Sequence, residues 1–349
     1  MITKLGPMAL ALAIGIVSGG IAALAGLPLP WMLGPMIGNT IAALLRAPLY
    51  APTALRPVMI PVIGVMLGAA FSPAILDMAG RWVATLLLLP PFIVIAGGVS
   101  YVYYRRVARY DPVTAFFSAM PGGLNEMLIL GSEAGGVDKR IALAHATRIL
   151  VVVTFVVAFF GFALDVRSDN AAGRPWLGFA SLSALDIVLL TLSAVIGTLV
   201  GQRLRLPAAT LLGPMVASAG VHLAGWVEVP PPTILVIAAQ IVIGTIIGCR
   251  FADTALREVL RDMGHGAASS ILMILVAIGF AMLVTRLTGV DVSQGFLAFS
   301  PGGLTEMSLL ALAMGKDVAY ISISHTARIA YVIVLAPLAF RLSGLGRRD

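Results

Sequence analysis

The eight residues Met120-Pro121-Gly122-Gly123-Leu124-Asn125-Glu126-Met127 return 180 residues later as Ser300-Pro301-Gly302-Gly303-Leu304-Thr305-Glu306-Met307. Each copy sets a helix-breaking Pro-Gly-Gly late in a run without charge, Pro112 to Asn125 or Val292 to Thr305, and follows it with a lone glutamate. Nineteen residues beyond each glutamate comes a second matched group, His145-Ala146-Thr147-Arg148 and His325-Thr326-Ala327-Arg328. The register extends outward. Leu33-Gly34-Pro35-Met36 matches Leu212-Gly213-Pro214-Met215, Gly64 to Gly68 matches Gly244 to Gly248, and Asp111 matches Asp291. The chain is two copies of one device.

Composition fixes the solvent that device sits in. Of 349 residues, 59% are hydrophobic and only 11% charged, and the mean hydropathy is +1.01, whereas about a quarter of residues are charged in soluble domains. This predicts an all-α polytopic membrane protein. Lys4 and Arg46 enclose an uncharged stretch about 60 Å long as helix, roughly two crossings of a ~30 Å hydrocarbon core, with a turn at Pro28-Leu29-Pro30. Further uncharged runs, Pro57 to Leu76, Trp82 to Tyr104, Leu206 to Val227, Val229 to Cys249 and Gly266 to Thr285, are each about one span long. The net charge of +7 comes from arginines scattered through short connectors, with no basic face for nucleic acid. A single cysteine, Cys249, excludes an internal disulfide and any cysteine-based metal or iron–sulfur site. No small-residue cleavage site follows the first apolar run, which reads as a retained helix.

The expected organisation is a membrane repeat over 1–165, a linker over 166–182 and a second repeat over 183–349. Copy one predicts helices at about 5–25, 30–45, 57–76 and 82–104, the Pro-Gly-Gly segment at 112–132, and a helix at about 141–164. Copy two predicts about 183–202, 207–226, 231–249, 266–286, the segment at 292–314, and about 318–340. With Lys4 cytoplasmic, five crossings and one re-entrant or broken hairpin per half place Arg46, Arg56, Arg105, Arg106, Arg109, Arg203, Arg205, Arg250, Arg257, Arg261, Arg347 and Arg348 inside, with both termini. That count makes the repeats inverted. An arm of about nine residues on either side of each Pro-Gly-Gly is roughly 13 Å of helix, enough to reach the bilayer midplane. Irregular backbone at that depth must be enclosed by protein or line an aqueous cavity.

The candidate binding residues are therefore Pro121, Gly122, Gly123, Asn125, Glu126, His145 and Arg148, with Pro301, Gly302, Gly303, Thr305, Glu306, His325 and Arg328. Gly-Gly at a hairpin tip leaves N–H groups open, and a helix restarting at Leu124 or Leu304 points its N-terminus at the tip, a setting that favours anions. Glu126 and Glu306 sit in apolar segments where a bare carboxylate is costly. Arg148 and Arg328 are their nearest candidate partners. His145 and His325 lie three residues earlier on the same helix face, where a cation disfavours imidazolium. Two Glu-His-Arg sets fit a proton or ion coupling site or an anion clamp; they also fit an ion pair that staples each hairpin to its helix. Asn125 and Thr305 break the symmetry of the two tips. Asn39, Ser218 and Gln240 read as helix-packing hydrogen bonds, and His222 and His265, without counterparts, receive no role.

The doubled Pro-Gly-Gly-Leu-x-Glu-Met and His-x-x-Arg-Ile motifs, with Leu-Gly-Pro-Met before each, closely resemble the bacterial AbrB-type inner-membrane family, which carries an internal duplication. Members are labelled transcriptional regulators or ammonia monooxygenases, and the family is grouped by similarity with the cation/proton antiporter and anion transporter superfamily. The resemblance implies inverted repeats with interrupted helices, and a transporter by analogy of fold. Neither label suits the residues. A DNA-binding regulator needs a soluble domain, and the longest polar stretch is Asp165 to Ser181. A copper monooxygenase needs a preorganised set of histidines, and here His145 and His325 with Glu126 and Glu306 supply at most a His2Glu2 set.

The expected function is secondary transport of a small anion or amine, coupled to protons, by alternating access. The alternative is a non-transporting membrane component in sensing or assembly, and a metal-dependent monooxygenase ranks below both. No cofactor, metal or nucleic acid is expected. The partners would be the lipid bilayer, a small solute or ion, and a second copy in a homodimer, in the bacterial inner membrane.

Overall fold

In the computed structural model, which describes residues 4–71, 75–163, 176–252 and 256–344, the uncharged runs are helices. In order they are α1 (Leu5–Leu24), α2 (Pro30–Leu44), α3 (Arg56–Gly68), α4 (Ile75–Arg106), α5 (Pro112–Ala119), α6 (Leu124–Glu133), α7 (Asp138–Ala163), α8 (Ala184–Arg203), α9 (Ala209–Leu223), α10 (Thr233–Gly248), α11 (Leu256–Thr288), α12 (Val292–Phe299), α13 (Leu304–Ala313) and α14 (Val318–Leu342). Among the described residues there is no strand. Most of the expected linker, 166–175, and Arg347 and Arg348 lie outside the described residues.

Backbone conformation repeats with the sequence. Left-handed residues occur at Gly26, Leu29, Arg46, Arg109 and Gly135, and again at Arg205, Ala208, Gly225, Gly289 and Gly315, each 179 or 180 positions on. Gly in one copy stands opposite Arg in the other at three of these places. An arginine is held in a conformation that costs an L-residue about 1–2 kcal/mol, so the helix ends are dictated by the packing of the repeat more than by local preference. Leu29 and Ala208, at φ 50° and 47°, are the matched residues that lead into α2 and α9.

Among the described residues, seven helices are long and apolar enough to cross a bilayer: α1, α4 from Trp82, α7 to Phe159, α8, α10 continued to Phe251, α11 and α14. Ile16, Val17 and Ile21 on α1 and Val195, Ile196 and Leu199 on α8 are exposed, an apolar surface suited to lipid as solvent. The chain is a multi-pass membrane protein. Ten crossings were expected, but α2, α3 and α9 hold only 15, 13 and 15 residues, short of the ~20 that a straight span needs. Two helices exceed expectation. α4 and α11 begin at Ile75 and Leu256, because the charged residues that mark the edge of a hydrophobic run, such as Arg257 and Arg261, are themselves good helix formers.

The described chain divides into two compact units, each drawing on both copies: residues 1–77, 154–253 and 308–319, and residues 78–153, 254–307 and 320–349. In the first, α3 packs on α9 and α10 packs on α2. A methyl group added at Gly64 or Gly68 would lie 2.5 or 2.3 Å from the carbonyl oxygen of Leu211 or Met215; at Gly244 or Gly248 it would lie 2.3 or 2.6 Å from that of Met32 or Met36. The same contact is thus made twice with the copies exchanged. Asn39, which donates to the Pro35 carbonyl at 3.0 Å and lies 3.5 Å from Thr245 Oγ1, and Ser218, which donates to the Val65 carbonyl at 2.8 Å, complete it.

The second unit holds both four-residue interruptions and the chain on either side of them, as far as Met307 in copy two. Phe92, Phe280 and Phe299 form a ring cluster with centroids 5.4–5.5 Å apart, and Phe116 and Phe117 pack on Phe340. α11 approaches α7 closely at Gly266, where a methyl would meet Thr147 at 2.8 Å.

Candidate functional site

Each interruption is four residues long. α5 opens with Asp111 as N-cap, its carboxylate accepting from the Thr114 N–H at 2.9 Å, and Pro112 at the first position. It stops at Ala119 because Pro121 cannot donate and Met120 turns extended. Gly123 is the extended N-cap of α6. In copy two, α12 ends at Phe299, Ser300 turns out of the helix, and α13 restarts at Leu304.

The first arm of each segment ends with carbonyls that have no helical partner. His145 Nε2 meets the Phe117 carbonyl at 2.9 Å, and Arg148 donates to the carbonyls of Ser118 and, at 2.7 Å, Met120. In the other copy His325 Nε2 meets the Leu297 carbonyl at 2.8 Å, and Arg328 donates to Ser300 and, at 2.7 Å, to Gly302. The second imidazole nitrogen faces the arginine, at 3.5 Å for His145 and 3.1 Å for His325. These partners assign the proton to Nε2 and leave Nδ1 as acceptor, so both rings are neutral in this arrangement. The histidine and arginine together cap a helix C-terminus with a cation, where the helix dipole favours one. Each pair of side chains is buried, with Arg148 and Arg328 at 3% and 2% exposure.

The glutamates do the converse at the second arm. A methyl group at Gly123 would lie 2.0 Å from Glu126 Oε2, and one at Gly303 would lie 1.9 Å from Glu306 Oε2. Each carboxylate therefore folds back against the glycine that precedes its helix, at the positive end of the dipole. The sequence suggested glutamate–arginine pairs. The hydrogen bonds described above for each guanidinium run instead to backbone carbonyls and the histidine of its own helix. Glu306 is buried and Glu126 half-buried.

The two tips meet. Gly122, Gly123, Leu124, His145, Arg148 and Ile149 of one copy and Pro301, Gly302, Gly303, Leu304, Arg328 and Ile329 of the other line one cavity of about 60 Å³. Pro121 is buried beside it, Asn125 is exposed and Thr305 half-buried, and neither glutamate belongs to the lining. Leu124, Leu304, Ile149 and Ile329 were not singled out from sequence, although the isoleucines belong to the repeated His-x-x-Arg-Ile. Arg328 Nε is buried without a hydrogen-bond partner, as is Ser300 Oγ. Among the described residues no group of three or more His, Cys, Asp or Glu could hold a metal, so the His2Glu2 set is not assembled as ligands there.

A second polar cluster escaped the sequence reading. Asp262, buried on α11, lies 4.0 Å from Arg140 Nε on α7; the Arg140 guanidinium stands 4.9 Å from the Tyr110 ring, and His265 Nδ1 meets Tyr103 Oη at 3.1 Å. Burial, and then the charge of Asp262, push the Tyr110 phenol well above its usual range. Only the chain's return in α11 brings these residues together, and the sequence offered no spacing that announced it.

Residues 31–344 match the family profile described as transition state regulatory protein AbrB. The chain is 26% identical over 361 residues to "Uncharacterized protein YhjN" of Bacillus subtilis (strain 168), covering 95% of this chain and 91% of that one. It is also 26% identical over 319 residues to "Putative regulator AbrB" of Escherichia coli (strain K12), covering 90% of each.

Proposed function

From the premise that this chain belongs to the AbrB family, we propose that it is a secondary transporter that moves a small solute across the bacterial inner membrane by alternating access, with its halves in inverted orientation and its termini cytoplasmic. The observation that carries this reading is the meeting of two interrupted helices, tip to tip, at a cavity lined by two buried guanidiniums. Broken backbone inside an apolar body is costly and is tolerated where it lines a pathway. Charge bookkeeping supports coupling to protons. Each first arm presents about −0.5 of an elementary charge at its C-terminus and each second arm about +0.5 at its N-terminus. Arginine and an ionised glutamate offset these, so each copy is neutral as a set. Protonating Glu126 or Glu306 leaves the set about one charge positive.

The test is solute flux in proteoliposomes under an imposed pH gradient. Uptake that depends on the gradient and on Glu126 and Glu306 supports the reading, and protein-independent flux across a full panel of small anions and amines overturns it.

One observation favours a non-transporting role in sensing or assembly: both histidine–arginine pairs are engaged as helix caps, as a purely structural staple would be. The regulator label of the E. coli relative belongs to that protein; no soluble DNA-binding module is evident among the described residues of this one.

A further inference from the structure

We infer that the cavity between the two tips is a binding site for one small monovalent anion, of the size and charge of chloride or nitrate. As a statement about transported solute this rests on the transporter reading above. As a statement about binding it stands alone.

Four features converge. The lining includes two guanidiniums and, among the described residues, no carboxylate, which excludes the amine that the sequence left open. Gly122–Gly123 and Gly302–Gly303 bring the N-termini of two ten-residue helices, α6 and α13, to the same space, with the Glu126 and Glu306 carboxylates folded against Gly123 and Gly303 but outside the lining, and helix N-termini favour anions. Arg328 is 2% exposed, lines the cavity and keeps a buried Nε–H that no protein acceptor satisfies. A buried donor left in that state costs about 1–3 kcal/mol, so the carbonyls that Arg328 caps do not use the whole of its donor capacity. Of the remaining walls, His145 is polar, while Leu124, Ile149, Pro301, Leu304 and Ile329 are apolar and limit competing hydration.

Size decides the class. At about 60 Å³ the cavity has room for a few waters or one compact ion, whereas sites for drug-sized organic ligands run to roughly 300–1,000 Å³. The two copies are not equivalent within it. Arg148 reaches back to Ser118 and Met120, whereas Arg328 reaches Ser300 and Gly302, further along the break. Arg328 is the principal anion ligand, and Arg148 supplies the second positive charge.

The experiment is isothermal titration and thermal unfolding of the purified full-length protein in detergent, in sodium gluconate, with sodium chloride or sodium nitrate as titrant. The expected result is saturable binding of one chloride or nitrate per chain and a higher unfolding temperature than in gluconate alone. Ile149→Phe, which fills the cavity from a half-buried wall and leaves every charge in place, should weaken binding about tenfold or more, and Arg328→Lys should weaken it while preserving net charge. No difference between chloride, nitrate and gluconate overturns the inference, and so does binding that both variants leave intact. The two proposals fail separately. Anion binding without any flux removes transport and keeps the site, whereas flux without anion binding removes the site.

Discussion

Arg328 donates to the carbonyl of Gly302 at 2.7 Å, inside the interruption itself, so the cation that the sequence set in mid-span is used to close the end of a broken helix. Arg148 performs the equivalent task on Ser118 and Met120. Four orphan carbonyls near two helix ends thereby gain donors in a region where lipid supplies none.

Removing either guanidinium should therefore be destabilising before it is anything else. Arg148→Ala and Arg328→Ala should each lower stability by about 3 kcal/mol, since two buried carbonyls lose a charged donor in each case. Arg→Lys should recover part of the loss, because one ammonium cannot match the fork that spans both acceptors. Thermal unfolding of purified variants in detergent checks this; equal stability of wild type and both alanine variants would contradict it.

Gly123 and Gly303 are held by their glutamates rather than by backbone strain. Gly123 has φ −68°, which alanine accepts, but a methyl group at Gly303 would sit 1.9 Å from Glu306 Oε2. Glu306 is buried and Glu126 half-buried, so Gly303→Ala should be the more damaging change, by about 1–3 kcal/mol. Gly303→Ala combined with Glu306→Ser should be better tolerated than the sum of the two changes, and a double-mutant cycle by thermal unfolding measures that coupling.

Glycine-to-alanine changes at exposed helix interiors stabilise by roughly 0.5–1 kcal/mol. At Gly64, Gly68, Gly244 and Gly248 the sign should reverse, because each methyl would lie within 2.6 Å of a carbonyl oxygen on the facing helix. Losses of about 2 kcal/mol, similar in the two exchanged pairs, are expected from unfolding of the four single variants, with Gly20→Ala, whose methyl meets nothing within 4 Å, as the control that should be slightly stabilising.

The sequence made the helices and the breaks legible because both are local: uncharged runs fix the spans, and Pro121-Gly122-Gly123 and Pro301-Gly302-Gly303 must interrupt a helix wherever they occur. The partners of Glu126 and Arg148 were less legible. Opposite charges suggest each other, but the acceptors that Arg148 takes are main-chain carbonyls, which no sequence displays, and Glu126 turns to its own N-cap. The short length of α3 escaped for a related reason. It ends at Gly68, where it packs closely on α9, a contact between residues about 150 apart in the chain. Tyr110, Arg140, Asp262 and His265 meet for the same non-local reason.

The most direct test of the whole account is pH-gradient-driven uptake of labelled chloride or nitrate into proteoliposomes that contain wild-type protein, Glu126→Gln or Glu306→Gln. The account predicts uptake by the wild type that rises with the gradient, and loss of that dependence in both variants at unchanged protein content. Gradient-dependent uptake that survives both substitutions would contradict it.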